Sequence, residues 1–338
     1  MRSVRGLSCA VVAAIGLFGS VAGAAVVLNT VSVGDPGNVA DTAHASRGSV
    51  AYPYQVSKYE ITNNQYCEFL NTVDPTGANT KALWVANMGS AAQGNGGITQ
   101  TLSNPAGSIY AVKPGQGNQP VVFVSPASGM RMANWMQNGQ GTGSTESGAY
   151  DMTQAQPVRG PGASIAVANL NEWWKAAYYD PNLNSGSGGY WTYATASNTA
   201  PNNPAPPTSG TNDANYKGGN ATFAVTGTTG STLAGVDYLS NVGAYSGSVS
   251  AYGTYDQNGN ANEWVDDLIG TNGRQSIGGG FSSSNSTASF GTGATLIGTP
   301  NGLTVTSSAI GFRLALVPEP TLSLIPLIVF GAIRRRRA

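Results

Sequence analysis

Hydrophobic residues in this chain come in short runs separated by long polar stretches. Alternating aromatic and β-branched residues over Val50–Ile61 favour a strand, and the apolar run Gln119–Val124 favours a second. In Asn29–Ala40, a turn cluster of Gly, Asp, Pro and Asn follows a valine-rich run, which is typical of a strand that leads into a loop. We therefore expect several short strands rather than a few long ones.

Helical spacing appears in three places, each preceded by a capping residue. Thr62 with Gln65, and Asn169 with Glu172, have the spacing of a capping box, in which cap and third residue satisfy each other's backbone donors. A third helix is expected after Ser125, since proline then occupies the first helical position. These patterns predict three short helices.

The polar stretches decide the overall character of the chain. Glycine occurs 46 times, and residues 182–235 consist mostly of Pro, Gly, Asn and Thr, which favours long loops. The chain is nevertheless 41% hydrophobic, with 6 Trp, 15 Tyr and 8 Phe, so it can build a core. Its 16 basic and 16 acidic residues balance, so no basic surface favours nucleic acid. We expect an irregular globular domain outside the cytoplasm.

The first 25 residues have the pattern of a secretory signal peptide. Arg2 and Arg5 precede the apolar run Leu7–Val21, and small residues follow up to Ala24 and Ala25, near which cleavage is expected. The alternative is an uncleaved membrane anchor, although the run is short for a span.

The last 22 residues, 317–338, have three consecutive parts. These are the triplet Pro318, Glu319 and Pro320, the apolar segment Thr321–Ile333, and the basic cluster Arg334, Arg335, Arg336 and Arg337. The apolar segment is short for a hydrocarbon core of ~30 Å, and the arginines would stay cytoplasmic. Together the parts resemble a PEP-CTERM sorting signal. The resemblance implies export to the cell envelope or extracellular matrix, at least transient anchoring in the membrane, and an exosortase as partner. A plain tail anchor is the alternative.

The strongest candidate for chemistry is the segment Tyr255–Asp267, YDQNGNANEWVDD. It sets Asp256 and Glu263 on either side of a Gly/Asn-rich turn and continues into Trp264. Hard cations prefer such oxygen-rich, sharply turning loops. The alternative is a tight turn in which Glu263 caps local amides. Asp213, Asn215 and Asp237 are further candidate oxygen donors, or simply solvated turn residues.

The chain has too few cysteine and histidine residues for most sites built from thiols or imidazoles. Once a signal peptide containing Cys9 is removed, Cys67 is the only cysteine, so an intrachain disulfide or cysteine pair is excluded. Cys67 falls within the first predicted helix and is expected to pack as a small hydrophobe rather than react. His44 is the only histidine and is expected at the surface.

Seven segments occur in an order that resembles one family. They are KYEITNNQYCEFLN (58–71), QPVVFV (119–124), NLNEWWKAAYY (169–179), VGAY (242–245), YDQNGNANEW (255–264), GGGF (278–281) and GFRLA (311–315). The set resembles the formylglycine-generating enzyme, or sulfatase-modifying factor, family. The resemblance implies an α+β, loop-rich variant of the C-type-lectin fold, with small mixed sheets and few short helices, over residues 26–316.

The same resemblance implies structural calcium. One site would use the side chains of Asp256 and Glu263 with the carbonyls of Gly259 and Ala261. A second site would use the following donors: the side chains of Asn215 and Asp237, and the carbonyls of Tyr216 and Leu239. Asp256 stands where asparagine is commoner, and it keeps an oxygen donor while adding charge.

The chain departs from the family at its catalytic cysteines. The matching positions are Ser283 and Ala288, and a hydroxyl and a methyl group cannot replace two soft thiolates for monovalent copper. No copper is therefore expected. A single histidine also excludes the three-histidine iron site of a related branch.

Three hypotheses follow. The first is an exported, non-catalytic binding or structural module on a calcium-stabilised scaffold, with a peptide or glycan as ligand. The second is an enzyme of the sulfatase-modifying factor family that generates formylglycine, or performs another oxidation in the same cleft, by a different route. The third is a matrix protein that only supplies bulk, whose stability would not depend on calcium.

Overall fold

The helices and strands of the protein are short and are joined by long irregular segments. The computed structural model describes residues 25–270, 273–284, 295–297 and 303–318. The strands are β1 (Thr30–Val33), β2 (Tyr54–Ser57), β3 (Ile98–Gln100), β4 (Tyr110–Val112), β5 (Ile165–Val167), β6 (Tyr179–Asp180), β7 (Gly189–Tyr190), β8 (Asn262–Ile269), β9 (Gly273–Ile277), β10 (Thr295–Ile297), β11 (Ile310–Phe312) and β12 (Leu314–Leu316). The helices are α1 (Asn63–Val73), α2 (Ala86–Gly89), α3 (Pro126–Gln137), α4 (Leu170–Tyr178) and α5 (Leu183–Gly186), with a 3₁₀ turn at Thr42–His44.

These strands form two four-stranded sheets and two small ribbons. The first sheet has the order β1-β2-β12-β5 and is antiparallel throughout. The second has the order β10-β9-β8-β11, in which β11 pairs with β8 in parallel and the other pairs are antiparallel. The pairs β3-β4 and β6-β7 make the ribbons. Small mixed sheets with few short helices confirm the predicted loop-rich α+β class.

The three predicted helices begin where their caps predicted. Thr62 and Gln65 form both halves of a capping box at the start of α1, and Asn169 and Glu172 do the same for α4. Ser125 accepts a backbone hydrogen bond at the start of α3, with proline in the first turn. Side chains therefore satisfy amides at helix starts that would otherwise lack partners.

The predicted strand Gln119–Val124 is wrong. Its side chains are buried, but its backbone bonds to two different segments: Val121 N donates to Ile61 O at 2.8 Å, and Phe123 N donates to Ser307 O at 2.8 Å. Phe123 has a φ of 61°, which interrupts the extended path. Of the predicted strand Val50–Ile61, only β2 forms.

Two buried clusters make the core. One packs α1 and α3 around side chains such as Phe69, Trp135 and Phe312. The other packs Trp173 and Trp174 of α4 against β1 and β2. Since both tryptophans are almost completely buried, α4 is part of the core and not a ligand-binding surface.

Both predicted targeting segments fall largely outside the described residues. Residues 1–24 of the predicted signal peptide and residues 319–338 of the predicted sorting signal are not described. Within the part that is described, no helix combines the length and apolarity needed to cross a bilayer.

Candidate functional site

The segment before β8 makes the sharp turn that its sequence predicts. Asp256, Gly259 and Asn260 all have positive φ angles, of 61°, 103° and 56°. A Cβ on Gly259 would lie 2.4 Å from the carbonyl oxygen of Asn215, and that same oxygen accepts a hydrogen bond from Asn260 N at 2.8 Å. Glycine is therefore required for the close approach of this loop to Asn215.

Glu263 lies on β8 and is paired with Arg313, between β11 and β12. Its two carboxylate oxygens lie 2.6 Å from Arg313 Nε and Nη2, and one of them accepts from Trp173 Nε1 at 2.9 Å. Neither Glu263 nor Arg313 is exposed to solvent. Arg313 also donates to the carbonyls of Ser57 and Tyr255, at 3.0 and 2.9 Å. This buried pair therefore connects both large sheets to the predicted calcium loop.

Asp256 lies at the opposite end of the loop. One of its oxygens accepts a hydrogen bond from Gly243 N at 2.6 Å. Burial raises its pKa to about 6, and the negative charge of Glu263 acts in the same direction, while the Gly243 amide and Arg313 oppose them. The carboxyl groups of Asp256 and Glu263 are thus close enough to interact, although each has its own hydrogen-bond partner.

A further carboxyl group, that of the buried Glu60, lies near them and was not predicted from the sequence. It is 1% exposed and accepts from Ala261 N at 3.1 Å and from Asn260 Nδ2 at 3.2 Å. Burial, with the charges of Asp256 and Glu263, raises its pKa well above the ordinary range. The sequence signal that could have identified Glu60 is its position as an acidic residue between Tyr59 and Ile61, at the end of a hydrophobic strand.

Charge and donor type in this acidic cluster (Glu60, Asp256, Glu263 and Arg313) fit a hard cation. Two buried carboxyl groups, Glu60 and Glu263, and the partly buried Asp256 share one guanidinium, and unbalanced buried charge is costly. Each carboxylate oxygen has two lone pairs, so Glu263 retains acceptor capacity beside Arg313. Within the described ranges, no three Asp, Glu, His or Cys side chains meet closely enough to hold an ion. Calcium would therefore also need backbone carbonyls, for which Gly259 and Ala261 are the predicted donors.

The four residues of the second predicted calcium site do not all share the same hydrogen-bond partners in the structure. Asp237 accepts from the Nε2 atoms of Gln116 and Gln119, at 2.9 and 2.7 Å, and Gln119 Nε2 also donates to the carbonyl of Leu239 at 3.0 Å. The neutral side-chain amides of Gln116 and Gln119 thus occupy the Asp237 carboxylate and the Leu239 carbonyl that the site would need. Tyr216 O instead accepts from Ala224 N at 3.3 Å.

The remaining member of that site, Asn215, lies against the first loop. Its side-chain Nδ2 donates to Asn260 Oδ1 and to Tyr238 O, both at 3.0 Å. Asn215 therefore links the loop of the first predicted site to the segment that contains Asp237 and Leu239.

Ser283, which the sequence resemblance assigns to the first family cysteine, closes a tight turn. Its Oγ accepts from Gly280 N at 3.0 Å, and its own N–H donates to Gly280 O at 2.9 Å. Its carbonyl accepts from Lys217 N at 3.0 Å. The hydroxyl therefore has a structural partner. Ala288 lies outside the described residues.

The chain's thiol and imidazole lie elsewhere. Cys67 is buried in α1 beside Asn71, and burial raises its pKa to about 11, so the unreactive thiol form dominates at neutral pH. His44 Nδ1 lies 2.7 Å from Asp41 Oδ2, and its ring packs 5.6 Å from that of Trp174. The His44 side chain is one-third exposed, as its surface prediction implies.

A cavity of about 200 Å³ lies near the Ser283 turn. Phe281 and Tyr238 form one side, with ring centroids 5.4 Å apart and nearly parallel planes. Gly94, Asn95 and Val236 line it as well. Among the described lining residues there is no thiol, imidazole or charged side chain.

Comparison with solved structures supports the fold. The crystal structure of CarF superimposes with a TM-score of 0.51 at 20% identity, covering 86% of this chain and 98% of that one. Treponema denticola variable protein 1 gives a TM-score of 0.46 at 14% identity, covering 86% and 95%. PvdO from Pseudomonas aeruginosa gives 0.43 at 14% identity, covering 86% and 92%. No match was found among curated protein sequences.

Comparison with family models gives the same family that the seven sequence segments resemble. The model of the sulfatase-modifying factor enzyme 1-like domain matches residues 23–317, which include both large sheets, the acidic cluster and the Ser283 turn. The chain therefore belongs to the FGE-sulfatase family of sulfatase-modifying factor enzyme 1-like domains.

Proposed function

We propose that this protein is a non-catalytic member of its family, an exported binding or structural module on a calcium-stabilised scaffold. The observation that carries the proposal is Ser283. Its hydroxyl is bonded to Gly280 N, at the position where an oxidase of this family needs a thiolate. The only cysteine outside the predicted signal peptide is Cys67, a buried residue of α1. One buried thiol cannot supply two soft ligands for copper.

Calcium is the cation that we propose for the acidic cluster. Hard, oxygen-only donors support it, as do carboxyl groups that outnumber the single guanidinium of the cluster. Asp256, Glu263 and the carbonyls of Gly259 and Ala261 would hold the ion, and Glu60 would add charge nearby. A bound ion would offset repulsion among carboxylates and so stabilise the loop against β8. For the second predicted set, the amides of Gln116 and Gln119 already bind Asp237.

Export and sorting complete the proposal. The N-terminal basic and apolar pattern and the terminal sequence Pro318-Glu319-Pro320 followed by arginines support secretion and processing by an exosortase. We propose that the domain acts at the cell envelope or in the extracellular matrix. A fluorescent fusion that keeps both termini, with a control lacking residues 317–338, tests this. Retention of the full chain in the cytoplasm would contradict the proposal.

The decisive experiment for the function is an oxidase assay. The purified mature chain is incubated with a cysteine-containing sulfatase-motif peptide, copper and oxygen, and aldehyde is captured with a hydrazide reagent. A catalytically active formylglycine-generating enzyme is the positive control. We expect no aldehyde from this chain. Aldehyde formation above the level of the peptide alone would overturn the proposal and favour the enzyme hypothesis.

A further inference from the structure

A second cavity lies apart from the Ser283 turn. It has a volume of about 400 Å³, within the range of roughly 300–1,000 Å³ that is common for ligand pockets. Its wall combines four parts of the chain: residues 28–29; residues 57, 59–62 and 64–65 from β2 into α1; Asn118; and residues 241–242. We refer to it as the amide pocket, after the side chains described next.

Four exposed asparagines line the amide pocket. They are Asn29, Asn64, Asn118 and Asn241. Within the described residues, the side chains of Asn29 and Asn241 make no hydrogen bond, and those of Asn64 and Asn118 make only one weak mutual contact, at 3.4 Å. Each amide offers two donors and a carbonyl acceptor, so most of this capacity is available to a ligand.

The backbone of the pocket wall is already bonded internally. Asn29 O accepts from Lys58 N at 2.7 Å, Asn118 O accepts from Val242 N at 2.8 Å, and Asn64 N donates to Gly117 O at 3.0 Å. These bonds also hold the separate segments together. A peptide that binds by strand addition needs free backbone groups, so this wall favours a ligand recognised through side chains.

The charged side chains in and near the pocket also restrict the kind of ligand that it can bind. Glu60 is the only ionisable carboxylate among the described lining residues, and both of its oxygens accept hydrogen bonds from Ala261 and Asn260. Lys58 does not line the pocket, and its ammonium lies over the rings of Tyr59 and Tyr255, at 5.6 and 5.2 Å. The pocket therefore lacks a free cation for phosphate or sulfate and a free anion for an amine.

Tyr59 supplies the aromatic part of the wall. Its ring packs over Gly243, where an added Cβ would lie 2.6 Å from Tyr59 Cε1. Burial and the charge of Asp256 raise the pKa of the phenol, which keeps it neutral as a hydrogen-bond donor. A neutral, hydroxyl-rich ligand with apolar C–H faces matches a wall of amides beside an aromatic ring.

We propose that the amide pocket binds a neutral oligosaccharide through Asn29, Asn64, Asn118, Asn241 and Tyr59. This inference rests on the proposed function, because it names the ligand class of the binding module. The asparagines would bind sugar hydroxyls, and the Tyr59 ring would pack on a sugar face.

Isothermal titration calorimetry of the mature chain tests the proposal. The probes are maltotriose, cellotriose and triacetylchitotriose, with the anionic trimer of galacturonic acid and a trialanine peptide for comparison. We expect at least one neutral trisaccharide to bind and the anionic sugar and peptide to fail. If no neutral trisaccharide binds, or if only the charged sugar or the peptide binds, the proposal is overturned.

Variants locate the binding. The double variant N64A/N241A is expected to weaken binding at least tenfold, and the matched control Asn87→Ala, an exposed asparagine of α2, is expected to bind like the wild type. Asn29→Ala, which removes no hydrogen bond within the described residues, gives a second test if the double variant does not fold. Unchanged binding in the folded variants would overturn the pocket assignment.

The oxidase assay distinguishes the two proposals. Aldehyde formation would refute the non-catalytic function. Failure of the sugars with a negative oxidase assay would refute only the ligand assignment.

Discussion

Glu263 and Arg313 form a two-point ion pair in which both oxygens lie 2.6 Å from guanidinium nitrogens and neither side chain is exposed. The pair joins β8 to the junction of β11 and β12. Arg313 also provides the only guanidinium in the acidic cluster, where it opposes the pKa-raising effects of burial on Glu60 and Asp256. Its removal would leave the buried Glu60 and Glu263 and the partly buried Asp256 without this cationic partner.

Arg313→Met should therefore strongly destabilise the protein. Loss of one partner of a buried ion pair typically costs about 3–5 kcal/mol, because the remaining charge stays buried. The free energy of unfolding from urea denaturation measures the effect. The control is Arg131→Met, which breaks a partly exposed pair with Glu146 and should cost clearly less, because water can reach the remaining carboxylate. Equal losses in the two variants would show that Arg313 does not compensate the cluster.

Gly259 provides a test of the loop backbone. Gly259→Ala places a Cβ 2.4 Å from the Asn215 carbonyl oxygen, at a φ of 103°. Such backbone strain costs on the order of 1–3 kcal/mol, and the clash adds to it. Gly141→Ala is the matched control, since it has open space and no positive φ. Urea denaturation should show a lower midpoint for Gly259→Ala alone. A midpoint equal to that of the control would mean that the loop is free to move away from Asn215.

The local features of the fold could be predicted from the sequence. The capping boxes at Thr62 and Asn169 involve residues three positions apart, so their spacing alone identifies them. The turn around Gly259 was predictable for the same reason. Its contact with Asn215 was not, because a long irregular segment without helix or strand separates the two.

The buried charges show where sequence reasoning reaches its limit. Glu60 meets Asn260 and Ala261 across some 200 positions, and Glu263 meets Arg313 across 50. Spacing carries no information about such pairs, since tertiary folding alone brings them together. The segment Gln119–Val124 had strand-like composition but pairs with two different partners, so local propensity gave the wrong element.

Acid should remove the contribution of the Glu146–Arg131 pair to the stability of the protein. Hydrogen bonds and charge from Arg131 lower the pKa of Glu146 to about 2. A lowered folded-state pKa means that the pair stabilises the protein above the unfolded pKa of about 4.3, and that this contribution disappears as pH falls through about 2. The difference in unfolding free energy between wild type and Glu146→Gln should therefore shrink between about pH 4.3 and 2.

The control for that measurement is Arg131→Gln, which removes the other partner. Its difference from wild type should shrink over the same pH interval. A pH-independent difference for Glu146→Gln would mean that the effect comes from packing rather than from charge.

Calcium should raise the stability of the mature chain, and chelator should lower it. An ion that binds only the folded state adds about 2.7 kcal/mol when its concentration is 100 times Kd. Asp256→Ala removes a proposed ligand together with its charge, so the calcium-dependent rise in Tm should shrink or vanish. Asp256→Asn keeps an oxygen donor and should give an intermediate rise in Tm.

The control variant Asp151→Ala changes an exposed acidic residue and should respond to calcium like the wild type. Because each variant is compared with itself at two calcium concentrations, backbone strain at position 256 does not affect the comparison. If the wild-type Tm is the same with calcium and with chelator, the acidic cluster must be compensated by bound protons, and the cation assignment fails.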